Sequence, residues 1–113
     1  MIIVRDIFQA KYGKGGDLVR LLQEFHEAMP MKHDYRILED ASGEFFTIVQ
    51  EIEAESLAGW EQMSEKLWSM PEFDNWFERM VPPVESGRRE LVETLEAASS
   101  SPGAVPWLAA SNV

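Results

Sequence analysis

Apolar residues follow two different spacings along the chain, and each spacing predicts an element. Met1–Ala10 (MIIVRDIFQA) is dense in β-branched and aromatic types and reads as a strand. Gly13, Gly15 and Gly16 interrupt it. Asp17 is the expected N-cap of a helix whose apolar stripe is Leu18, Leu21, Leu22, Phe25 and Met29, stopped by Pro30. Tyr35–Asp40 and Glu44–Ile52 are expected strands joined by a turn at Ala41-Ser42-Gly43. Ser56 is the expected N-cap of a second helix carrying Leu57, Trp60, Met63 and Leu67 on one face. Pro71 opens a further helical piece with Phe73, Trp76, Phe77 and Met80, ended by Pro82-Pro83. Arg88–Leu95 reads as the last strand, with a helix as the alternative.

The order strand, helix, strand, strand, helix, strand predicts an α+β, ferredoxin-like βαββαβ fold with a four-stranded antiparallel sheet. Right-handed crossovers put the helices on one face of that sheet. The other face is not patterned for water. In the third strand Phe45, Thr47 and Val49 face one way, and Phe46, Ile48 and Ile52 the other. In the first strand Ile3 and Ile7 oppose Ile2, Val4 and Phe8. Both faces call for burial, and a second copy related by a two-fold axis is the simplest cover.

The expected domain is residues 1–96. Residues 97–113 form a tail without a single charged residue, where Val105, Trp107 and Leu108 are expected to dock. At 113 residues the chain is one domain. It has no cysteine, which removes disulfides and thiolate chemistry and fits the cytoplasm. No apolar run has the roughly 20 residues of a membrane helix, and the strand-like start leaves no sign of a signal peptide. The net charge of −10 repels nucleic acid and anionic membranes, and no basic cluster exceeds Arg88-Arg89. Neither is expected as a partner.

Candidate chemistry is sparse. His26 would serve as a general base or haem ligand. The plainer alternative, a helix-border histidine with one hydrogen bond, is favoured because a lone histidine lacks partners. His33 lies in a connection. No ligand spacing for a metal is present, and no motif calls for a cofactor. Trp60, Trp68, Trp76 and Trp107, with Phe73 and Phe77, would wall an aromatic pocket or simply fill the core, and the second is favoured. Arg5 and Arg36 lie mid-strand and would either bind a ligand's carboxylate or phenolate, or form ion pairs across strands; the second is favoured. The tentative pocket is therefore Arg5, His26, Arg36, Trp60, Phe73, Trp76 and Phe77, with no catalytic residue assigned.

Over about residues 1–95 the chain resembles the dimeric α/β-barrel superfamily, in its antibiotic-biosynthesis-monooxygenase-like and NIPSNAP-like branches. The resemblance is carried by Gln9–Gly16, by Glu51-Ile52-Glu53 leading into Ser56-Leu57-Ala58-Gly59-Trp60, and by Met70–Phe77 (MPEFDNWF). Glu72 and Trp60 stand where the branch often has histidine. The resemblance implies a homodimer joined through sheet faces with a small-molecule pocket, and a cofactor-independent oxygenase or isomerase acting on a phenolic or quinone-like compound. A binding or structural dimer without chemistry is the alternative, and haem binding through His26 a third reading.

Overall fold

The structure is a computed structural model that describes residues 1–29 and 33–95. Its elements are β1 (Ile2–Ala10), α1 (Gly15–Ala28), β2 (Tyr35–Glu39), β3 (Thr47–Ala54), α2 (Leu57–Trp68), α3 (Pro71–Met80) and β4 (Val84–Glu93). The strand order is β2-β3-β1-β4 and every pairing is antiparallel, which is the ferredoxin-like arrangement. The expected docking of Val105, Trp107 and Leu108 falls outside the described residues.

Local chemistry sets the boundaries. Ser56 caps α2 as expected: its hydroxyl accepts from the Gly59 N–H at 3.0 Å. Pro71 stands in the first turn of α3. Three expectations are corrected. α1 begins at Gly15 with Lys14 as its N-cap, and Asp17 sits in the first turn, paired with Arg20. β3 begins at Thr47, because Phe46 has φ 60 and cannot continue a strand. The Thr47 N–H is instead accepted by the Asp40 carboxylate at 3.2 Å. β4 starts at Val84, earlier than Arg88, and it is a strand throughout. Gly87 lies opposite Phe8, where a Cβ would come within 3.1 Å of that ring.

One face of the sheet carries Val4, Asp6, Phe8 and Ala10 on β1, beside Ile48, Gln50, Ile52 and Ala54 on β3. The helices cover it. Leu18 and Leu22 of α1 and Met80 of α3 pack with Ala10 and Ile48, while Trp60 of α2 packs with Val4, Ile52 and Ala54. Two polar contacts tie α3 to α1: the Trp76 indole N–H donates to the Leu21 carbonyl at 2.7 Å, and Arg79 grips Glu24 through two bonds of 2.8 Å.

The opposite face has no cover within the described residues. A row of directly opposed residues crosses all four strands there: Arg36, Glu51, Arg5, Glu90. Glu51 accepts from Arg36 at 2.5 Å and from Arg5 at 2.8 Å, and Arg5 also reaches Glu90 at 2.9 Å. These guanidinium groups hold the Glu51 carboxyl below its ordinary range, against the opposing effect of burial, the largest single influence on it. Ile3, Ile7, Leu38, Val49 and Val92 flank the row.

Candidate functional site

A cavity of about 570 Å³ lies between the helix-covered face of the sheet and the helices. Aromatic rings form a large part of its walls. The Phe25 and Trp76 rings are 4.7 Å apart, Phe73 lies 5.9 Å from Trp76, and Phe73 stacks on Phe77 at 6.0 Å. Helical spacing brings these rings together: Phe73, Trp76, Phe77 and Met80 repeat along α3, and Phe25 faces them from α1.

The floor is polar. Asp6 is only 5% exposed, although it stands between Val4 and Phe8 on the core-facing side of β1. A buried carboxylate needs partners. Strand register supplies them: Gln50 lies opposite on β3 and Arg89 opposite on β4. Arg89 approaches side-on, with Nε 2.6 Å from Oδ1 and Nη2 3.1 Å from Oδ2. The Gln50 amide nitrogen donates to Oδ2 at 3.0 Å. The Arg89 guanidinium carbon also lies 4.9 Å from the centre of the Trp60 ring, a cation–π contact.

From Gln50 the chain of hydrogen bonds runs outward. Because its NH₂ faces Asp6, its carbonyl oxygen faces His26, 2.6 Å from Nε2. His26 therefore carries its proton on Nε2, and its Nδ1 accepts from His33 Nε2 at 2.8 Å. Burial is the main cause that pushes the His26 pKa down from 6.5 to about 4. The bond to Gln50 opposes that fall, nearby His33 adds to it, and the Asp6 charge opposes it. His26 is thus neutral at pH 7, with both ring nitrogens engaged. To ligate haem it would have to give up one of these bonds. Among the described residues no group of three or more His, Asp or Glu side chains could hold a metal ion.

Of the residues expected to form the site, Trp60, Phe73, Trp76 and Phe77 line the cavity. His26 lies one step behind it, reaching Asp6 through Gln50. The place of Arg5 and Arg36 in the pocket is corrected: they lie on the far face of the sheet, in the favoured cross-strand ion pairs, with Glu51 and Glu90. Asp6, Gln50 and Arg89 are the floor residues the sequence reading did not assign to the site. The usable signal was parity, since Asp6 shares its side of the strand with Val4 and Phe8. Arg89 had none until the register placed it opposite Asp6.

No family model matches the sequence, and no curated protein matches it. Solved structures do. An uncharacterized NIPSNAP domain protein from Burkholderia xenovorans superposes with a TM-score of 0.74 at 15% identity, over 83% of this chain and 94% of that one. A NIPSNAP family protein from Agrobacterium tumefaciens gives 0.73 at 14% identity, over 84% and 93%. An antibiotic biosynthesis monooxygenase gives 0.64 at 15% identity, over 84% and 99%. The chain has the fold that these NIPSNAP and monooxygenase proteins share, and this is the fold the sequence resemblance implies.

Proposed function

We propose that this protein is a homodimer, joined through its open sheet faces, that binds a small aromatic molecule in the helix–sheet cavity of each subunit and acts on it as a cofactor-independent monooxygenase. The observation that carries this reading is the pairing of an aromatic-walled cavity with a floor in which the buried Asp6 carboxylate is held by the Arg89 guanidinium. Aromatic walls select a planar ligand. A phenolic hydroxyl placed over the floor can pass its proton to Asp6, whose carboxylate has about four lone-pair directions and three donors on it. The phenolate left behind is stabilised by the Arg89 guanidinium. Such an electron-rich ring reduces dioxygen itself. An activated ring CH₂ becomes a carbonyl with one oxygen atom, and the other leaves as water, so the substrate supplies every electron.

The dimer is supported by the open sheet face. Its charged row alternates in sign and sums to zero, while the whole chain carries −10. The row itself therefore adds no net repulsion when two copies meet on this face, and the flanking Ile3, Ile7, Leu38, Val49 and Val92 gain burial. The cytoplasm suits a chain without cysteine; no described helix is long and apolar enough to cross a membrane.

The test is oxygen uptake with a panel of quinols and phenols, alongside tryptophan fluorescence and sedimentation. Turnover above buffer by a dimer is expected. No turnover together with unchanged fluorescence contradicts the enzyme, and a monomer at micromolar concentration contradicts the assembly.

A further inference from the structure

Resting on the reading of the cavity as a small-molecule site, the geometry of Arg89 points to the class of molecule: an aromatic carboxylate. A guanidinium presents five N–H donors in a fixed fork. Asp6 takes the Nε side of that fork, through Nε and one Nη2 hydrogen. Trp60 lies against the face of the group, 4.9 Å from its central carbon. Two of the guanidinium's three aspects are thereby fixed before any ligand arrives, and the edge formed by Nη1 and Nη2 remains.

That edge is an unused recognition element of the cavity. Arg89 lines the cavity, and its Nη1 makes no hydrogen bond among the described residues. The neighbouring polar groups are engaged. Gln50 is held by Asp6 and His26, the Ser64 hydroxyl donates to the Trp60 carbonyl at 2.9 Å, and the Trp76 indole donates to Leu21. Two parallel N–H groups along one guanidinium edge match the two oxygens of a carboxylate. A single phenol or quinone oxygen uses one of them. The ring attached to such a carboxylate would extend from Trp60 toward Phe73 and Trp76, and a cavity of about 570 Å³ leaves room for two fused rings. Asp6 has a second role in this arrangement: it sets the angle at which Arg89 presents its free edge.

The experiment compares 2-naphthoate with 2-naphthol, which is uncharged at pH 7, by calorimetric titration of the wild-type protein and of Arg89→Lys. Lysine keeps the charge and the pairing with Asp6 but loses the fork. The expected result is that wild type binds naphthoate about tenfold or more tightly than naphthol, and that Arg89→Lys loses most of that preference. Because the preference is read in the wild type alone, a variant that fails to fold does not prevent the test. Equal binding of the two probes, or tighter binding of naphthol, overturns the carboxylate inference and leaves the cavity standing. Binding of neither overturns both.

Discussion

His26 lies face to face with Tyr35, ring centroids 3.8 Å apart and planes within 8° of parallel. Burial, with nearby His33 adding to it and the bond to Gln50 and the Asp6 charge opposing it, keeps the imidazole neutral, with a pKa of about 4 in the folded protein against 6.5 unperturbed. Between those values the unfolded chain takes up a proton that the folded chain does not. Stability therefore holds above about pH 6.5 and falls as the pH drops toward 4, by roughly 3 kcal/mol from this one residue. His26→Gln removes the titrating group, and the melting temperature of that variant is expected to vary less between pH 7 and 4.5. Identical slopes for variant and wild type would show that His26 does not govern the acid limb.

This network also marks where sequence reading stopped. Elements were legible because their signals are local: the Ser56 cap, Pro71 at a helix start, the apolar stripe on α3. The order of elements then led to the fold. The site depended on register. Asp6, Gln50 and Arg89 are 39 or more residues apart along the chain, and they meet only once β1 is flanked by β3 and β4. Arg5 and Asp6 are neighbours in sequence and point to opposite faces, and the apolar residues on both sides of β1 hid which face was which. The start of β3 was misjudged for a different reason. Phe45 and Phe46 look like strand residues, but a positive φ at Phe46 puts them in the loop.

The Ser56 cap satisfies an N–H at the start of α2, the helix that carries Trp60. Ser56→Ala is expected to cost about 1 kcal/mol, read as a lower urea midpoint with an unchanged slope. A change below a few tenths of a kcal/mol would mean that water replaces the cap at no loss.

Trp76 both walls the cavity and hydrogen-bonds the Leu21 carbonyl. Trp76→Phe keeps an aromatic wall and removes the bond. A loss of about 1–2 kcal/mol is expected from the missing bond and the smaller ring. Equal stability of variant and wild type in urea would show that this bond does not hold α3 on α1.

Ile7 sits on the open sheet face, opposite Val49 on β3 and Arg88 on β4. Ile7→Glu puts a charge among the residues proposed to meet across the two-fold axis. Sedimentation is expected to give a monomer at concentrations where the wild type is a dimer, with the far-ultraviolet circular dichroism unchanged. A dimer that survives this substitution would place the contact elsewhere.

The central claim is that the helix–sheet cavity receives a small aromatic molecule. It is tested most directly by following the indole N–H signals of the ¹⁵N-labelled protein while 2-naphthoate is added. The account predicts that the signals of Trp60 and Trp76, which lie on two sides of the cavity, move together and saturate at one ligand per subunit. Signals that stay fixed through millimolar ligand would contradict it.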